Sequence, residues 1–460
     1  MLRFLFLVLI TFYLFSALFP QWDIQPLLSV LCLTAVAITF WATKKFVQIL
    51  GSIFLASGLW LLWTSGASWQ EYLLSFGPML DLLTMFVLIP ILGIPIRLGE
   101  YGSSIQSLIQ KKVKTPGHLY MLTSGISYFF SIFMNLATLP MTYHSIRPAL
   151  SIFPVQHKER FMSRAITRGF AMPLTWAPVT PIVGIVIVMT GVSWVSVLPY
   201  LIPLSLFGLL MDWYIGSRKA KKMPLSSDSI SMHEMAVSVE QHPASRAGRV
   251  WQILIAILIF NVTISIAELQ FSYSFLTLVS LAVIPFAFVW SLLLRKGKAF
   301  GKQLLEHFRA FSIGMKDQFF IYLSAGFFIS TIKISHTNEL LYDWITSLIN
   351  VIGVEFFLIL LPLIPLAFAF IGLHPAVTLA LMAEALAPDV IGISPAVLTV
   401  AMLAGAVSAF LVGPYNATIG LMSNIAKESS YKISNWNLGF TFLYIGCVAI
   451  YLFMLQLLTP

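Results

Sequence analysis

The chain has 460 residues, 58% of them hydrophobic and only 10% charged, with a mean hydropathy of +0.90. A soluble domain carries about 25% charged residues, and here apolar runs able to cross about 30 Å of hydrocarbon recur along the whole length, so the fold class is an all-α polytopic membrane protein with no room for a sizeable soluble domain. The formal net charge of +9 does not indicate nucleic acid, since no basic stripe interleaved with aromatics stands on a soluble module, and Cys32 and Cys447 both fall in predicted spans, which argues against a disulfide framework.

The first apolar run, "MLRFLFLVLITFYLFSALFPQWD", has Arg3 as its whole basic region, is long for a signal peptide and lacks a small-residue cleavage site, so it is expected to stay as the first span. Further spans are predicted at about 26–43, 46–64 and 78–96, followed by the amphipathic "RLGEYGSSIQSLIQKKVK". A long apolar region at about 118–150 is broken by "NLATLP", and spans at about 167–191 and 195–215 follow. The polar segment 217–249, with "SRKAKK" and "SSDSISMHE", reads as a flexible linker between a first repeat (1–216, with an extra N-terminal helix) and a second (250–460). The second half is predicted to hold spans at about 250–268, 271–294 and 317–333 and the amphipathic "HTNELLYDWITSLI". A broken region at about 351–387, a broken span at about 395–425 and a closing span at about 437–457 complete it.

Charge placement orients these elements. With a cytoplasmic N-terminus, and with 118–150 and 351–387 as re-entrant hairpins, the inside segments collect Lys44, Lys45, Lys111, Lys112, Lys114, Lys158, Arg160, Arg164, Arg168, Arg218, Lys219, Lys221 and Lys222. They also collect Arg295, Lys296, Lys298, Lys427 and Lys432, whereas the outside segments hold mainly Asp23, Glu71, Glu268, Glu339, Asp343 and Asp389. The expected architecture is therefore about eleven transmembrane helices in two inverted repeats, each with a re-entrant hairpin and a broken helix. Expected location is the bacterial inner (cytoplasmic) membrane.

Internal symmetry supports the two repeats. In "TWAPVTPIVGI" and "FLVGPYNATIG", Pro178 pairs with Pro414 and Gly184 with Gly420, each 236 residues apart (414 − 178 and 420 − 184). Ala165 and Ala401, and Gly169 and Gly405, keep the same offset. Proline removes a backbone donor and glycine permits non-helical dihedrals, so both stretches are predicted to unwind inside the bilayer. Unwound backbone would expose carbonyls for a cation and helix N-termini for an anion. The alternative reading is a simple proline kink.

The hairpin tips supply the facing groups: Asn135 and Thr138 before Pro140, and His374 before Pro375 with Thr378 after it. From the breaks come Thr180 and Gly184, and Asn416, Thr418 and Gly420. Asn and Thr offer neutral oxygens to Na⁺ or hydrogen bonds to a carboxylate. His374 is a candidate for a coupled proton or an anion contact, with a neutral histidine bonded to a carbonyl as the alternative. Glu384 is an intramembrane carboxylate close enough to Asp389 to reach water. His144 and Arg147 are expected to anchor the first hairpin at the membrane surface, and Asp81 and Asp317 to lie at span starts.

In this arrangement, and in "NLATLP" and "TPIVGI", the chain resembles the ion transporter superfamily, which includes divalent anion/sodium symporters, arsenite permeases and NhaD-type sodium/proton antiporters. The symporters carry Ser-Asn-Thr signatures at both tips; here the first keeps Asn135 and Thr138 and the second has "GLHP". The symporters' Thr-Pro-Ile-Gly-Thr break is matched by Thr180, Pro181, Ile182 and, one residue later, Gly184. The resemblance implies an elevator-type transporter, usually a homodimer.

The expected function is secondary transport of a small anionic solute, an organic carboxylate, coupled to Na⁺ or H⁺, with no other cofactor. A cation/proton antiporter resting on Glu384 is the alternative. An integral-membrane enzyme acting on lipid-linked substrates is a remote third, because the sequence has no metal motif, Ser-His-Asp pattern or phosphate-cradling loop. The topology makes one direct prediction: a cysteine placed at Ser226 in an otherwise cysteine-free chain reacts with an impermeant maleimide only when the cytoplasmic face is opened. Labelling of intact cells would overturn the orientation.

Overall fold

A computed structural model describes residues 2–99, 113–151, 155, 157–221, 248–386 and 392–458; most of the first amphipathic segment and most of the linker, Ser226 included, lie outside this set. The chain opens with α1 (Leu2–Leu18), α2 (Gln25–Phe40, with Pro26 in its first turn) and α3 (Lys45–Thr64). Twenty residues of α3 rise about 30 Å, and exposed tryptophans flank both ends, Trp41 at one and Trp63 and Trp69 at the other. Such rings settle at headgroup depth. A short helix not expected from the sequence, α4 (Trp69–Leu74), starts on a capping box in which the Glu71 carboxylate accepts the Ser68 N–H at 2.6 Å. Pro90 and Pro95 then divide the next span into α5 (Leu80–Leu88), a 3₁₀ turn and α6 (Gly93–Leu98).

The first hairpin is α7 (Pro116–Met134) and α8 (Thr138–Ile146), and the broken span after it is α9 (Lys158–Ala171) and α10 (Pro181–Thr190), closed by α11 (Trp194–Lys221). The second half holds α12 (Gly248–Gln270), α13 (Phe275–Leu293), α14 (Gly297–Ile334) and α15 (Thr337–Ile352). Its hairpin has α16 (Val354–Leu360) and α17 (Leu363–Ile371) as one arm and α18 (Pro375–Ala385) as the other. The broken span α19 (Pro395–Val412) and α20 (Ala417–Ala426) and the closing α21 (Ser430–Leu458) follow.

The sequence offset is also the structural one. Helices α10 and α20 each have ten residues and begin 236 apart (417 − 181), and α11 and α21 begin 236 apart (430 − 194). The paired glycines have a common role: a Cβ on Gly169 would lie 2.2 Å from the Ser124 carbonyl, and one on Gly405 2.8 Å from the backbone of Pro362. In each half a broken helix thus presses backbone to backbone on the first arm of its own hairpin, which only glycine allows.

Several boundaries differ from expectation. Among the described residues nine helical stretches are long and apolar enough to span, or ten counting α14 and α15, bent by 84° at their junction, as one. The nine include the two hairpin regions, and of the eleven expected crossings α1 and α2, at 17 and 16 residues, and the first broken span, whose α10 has 10, fall outside them. Helix α14 starts at Gly297, not 317, because its polar first half is amphipathic and escapes a hydropathy reading; Asp317 is consequently mid-helix, 3.9 Å from Lys44, and not at a span start. Asp81 does sit at a helix start, in the first turn of α5.

Arg168, counted above among the cytoplasmic cations, is 3% exposed and pairs at 3.3 Å with Asp212, which is 0% exposed. Tyr120 and Ser124 donate to the two carboxylate oxygens at 2.7 and 2.8 Å. The guanidinium also donates to Asn437 Oδ1 and the Trp436 carbonyl, each at 3.0 Å, and lies 4.6 Å over the Phe440 ring. The cluster ties α7, α9, α11 and α21 together with every charge partnered. Removing one member of such a buried pair costs about 3–5 kcal/mol, while removing both costs far less. Arg168→Met and Asp212→Asn should each lower the unfolding temperature in detergent, and the double variant should recover part of the loss; additive losses would show that the two charges act independently.

Candidate functional site

Each hairpin turns on one unusual backbone residue. Asn135 ends α7 with φ 46° and ψ −133°, a conformation that favours glycine, and α7 and α8 then fold side by side. Its amide has no hydrogen-bond partner among the described residues. At the second tip Gly372, φ +94°, ends α17, and α18 begins at Pro375.

The tips do not pack only within their own repeats. The second arm α8 of the first hairpin lies on α20, the far half of the second broken span, and α18 of the second hairpin lies on α10, the far half of the first. The broken spans also touch directly, α10 on α19, where the Thr190 and Thr399 hydroxyls are 2.9 Å apart. The predicted residues thereby lie on helices that pack in pairs: Thr138 on α8, which packs on the α20 that carries Thr418, and Thr378 on α18, which packs on the α10 that Thr180 precedes. The hydroxyls of Thr138, Thr378 and Thr418 are buried without a hydrogen-bond partner. A buried unpaired hydroxyl costs about 1–3 kcal/mol. Thr142, which the sequence reading did not select, belongs with them: it is fully buried, unpartnered and 236 residues before Thr378 (378 − 142). The offset itself was the signal that could have found it.

The two breaks differ. At the second, the last four carbonyls of α19 all find side-chain donors: Asn416 Nδ2 reaches Ala409 and Phe410 at 2.8 and 3.1 Å, Asn437 reaches Leu411 at 3.3 Å, and the Ser434 hydroxyl binds Val412. Asn416 Oδ1 also accepts the Ile419 N–H at 2.8 Å, capping α20. The expectation of exposed carbonyls is therefore corrected here, and Asn416 is the clamp that holds the break, its amide spent on the backbone. The first break ends differently: Thr180 occupies the N-cap of α10 and its hydroxyl makes no capping bond, leaving the helix start open.

Gly184 and Gly420 likewise part company. A Cβ on Gly184 would lie 2.2 Å from Leu276 of α13, while one on Gly420 meets nothing within 4 Å. Gly184 is thus a packing residue, and Gly420 lines open space. His374 is the N-cap of α18, with Nδ1 accepting the Ala376 N–H at 3.2 Å and 2.7 Å from the Tyr322 hydroxyl. Its ring stands edge-on to Phe86, Tyr322 and Phe410, 5.6–6.1 Å away. The carbonyl partner of the alternative reading is absent and a backbone N–H stands at Nδ1, which puts the proton of the neutral imidazole on Nε2. Glu384 is 3.0 Å from Lys333, so it is a paired carboxylate at the end of its arm. His144 and Arg147 are exposed, at the far end of the first hairpin.

No protein-family model matches the chain, and no curated protein matches it. Solved structures do. The YdaH transporter of Alcanivorax borkumensis, described as having an unusual topology, superposes with a TM-score of 0.55 at 15% identity over 94% of this chain and 97% of its own. MtrF of Neisseria gonorrhoeae superposes at 0.59, with 14% identity over 92% of this chain and 98% of its own. The chain is an integral membrane protein, and its nearly complete helical fold is shared with these two.

The glycines and the clamp yield one prediction. Gly184→Ala and Asn416→Ala should lower the unfolding temperature of the purified protein, the second by the equivalent of at least about 1 kcal/mol for the lost cap. Gly420→Ala should fold at least as well as the parent, since alanine is the better helix former by about 1 kcal/mol. Equal stability of all three would remove the distinction drawn between the two breaks.

Proposed function

We propose that the chain is a secondary active transporter of a small anion, an organic carboxylate, coupled to Na⁺ or H⁺. The observation that carries this reading is the cross-packing of each hairpin arm on the other repeat's broken span, with unpartnered buried hydroxyls from both. In a bilayer such groups are expensive unless something polar visits them. Neutral hydroxyl oxygens suit Na⁺ or donate to a carboxylate, and they bind without the trap of a fixed opposite charge. At the uncapped start of α10, Pro181 has no N–H and Val183 and Gly184 donate to the Thr180 carbonyl, so the Thr180 hydroxyl is the polar group on one side, and the Nε2–H of His374 adds a donor on the other.

The fold shared with YdaH and MtrF supports transport over membrane-bound enzyme chemistry; MtrF is described as one of a class of antimetabolite efflux pumps. Membership in the ion transporter superfamily, elevator-type movement of hairpins with broken spans, and a homodimer follow as parts of the same proposal. The cation/proton antiporter is disfavoured because its intended carboxylate, Glu384, is held by Lys333.

Thr142→Val and Thr378→Val test the reading. Valine keeps the shape and removes an unsatisfied hydroxyl, so a purely structural site predicts equal or higher stability with transport unchanged. The proposal expects that stability together with at least a tenfold fall in solute uptake into proteoliposomes. It also expects that a carboxylate, in Na⁺ but not choline buffer or at low but not high pH, raises the unfolding temperature of the parent and not of the variants.

A further inference from the structure

On the membrane side assigned to the cytoplasm, α9, α11 and α21 enclose two adjoining cavities of about 250 and 240 Å³ that share Arg164, Arg168 and Lys219 in their walls. Arg160 and His157 complete the first. Arg160, Arg164 and Arg168 recur every fourth residue, so they stack on one face of α9, where like charges repel. The helix dipole does not explain them: Arg160 lies in the first turn of α9, at its positive end. Among the described residues no carboxylate lines either cavity, and the nearby Asp212 is committed to Arg168. Four cations against one carboxylate make a site that is incomplete without an anion.

The surroundings say which. The second cavity is walled by Leu443, and Leu210, Tyr214, Phe442 and Leu443 are all exposed along α11 and α21. These are helices of 28 and 29 residues whose exposed apolar faces meet lipid. We infer that the cleft binds the phosphate of an anionic phospholipid, with Arg160, Arg164 and Lys219 around the headgroup and the acyl chains against α11 and α21. Clefts of this kind between spans, basic and on the cytoplasmic side, are suited to phosphate headgroups, and the planar guanidinium matches phosphate oxygens two at a time. A lipid held there would cover the α9–α11–α21 junction that the Arg168–Asp212 pair secures from within. This inference does not depend on the transported solute.

The test uses delipidated full-length protein in a neutral detergent, titrated separately with phosphatidylglycerol, phosphatidylcholine and inorganic phosphate while unfolding temperature and native mass spectra are recorded. Phosphatidylglycerol should raise the unfolding temperature and remain bound in the mass spectrum, and phosphatidylcholine should do neither. In the variant Arg160→Gln/Lys219→Gln, whose exposed side chains make no described hydrogen bonds, stability in phosphatidylcholine should be unchanged. Its phosphatidylglycerol affinity should fall roughly 30-fold, at about a factor of five per removed charge. An undiminished phosphatidylglycerol effect in the variant overturns the site. An equal effect of inorganic phosphate at matched concentration overturns the lipid assignment.

Discussion

The rest of this structure depends on one constraint: backbone polar groups inside hydrocarbon must be satisfied by the protein itself. A helix does this for its own interior and leaves four carbonyls bare at its end. The end of α19 falls in the middle of the most enclosed span, where 94% of the most apolar window is buried, and Asn416, Ser434 and Asn437 are there to meet its carbonyls. A break in a membrane helix is thus a built feature with its own supporting side chains. It can exist only where other protein surrounds it, and nearly all residues of both breaks are buried, Tyr415 being the exposed one.

That requirement also explains the cross-packing. Each broken span needs cover, and each hairpin needs a partner for its inner arm; exchange between the repeats meets both needs at once. The result packs four segments distant in sequence, each carrying short polar side chains, against one another in pairs. The two halves are related but not equivalent. The second break is fully clamped, whereas the first leaves the start of α10 open, and Gly184 is filled against Leu276 where Gly420 faces space.

Much of the frame was legible in the residues. The 236-residue offset read from two prolines and four glycines is the offset of the helices themselves. The hairpins were visible because a full crossing at either one would have mixed basic and acidic segments. Other features were hidden. Arg168 looked like a surface cation because its partner Asp212 is 44 residues away, on a helix whose approach no local pattern specifies. Thr142 looked like any small residue of an apolar helix. The polar first half of α14 gave no hydropathy signal although it is continuous helix.

The sequence by itself determined the class of protein, the places where helices must stop and the repeat that relates them, because these follow from local rules: apolar length, proline, glycine and charge beside a membrane. Tertiary structure alone decided which oxygens remain unpartnered, which arginine is buried and which glycine is a contact or an opening. Those properties belong to pairs of surfaces brought together from separate parts of the chain, and no single stretch of residues contains both members of the pair.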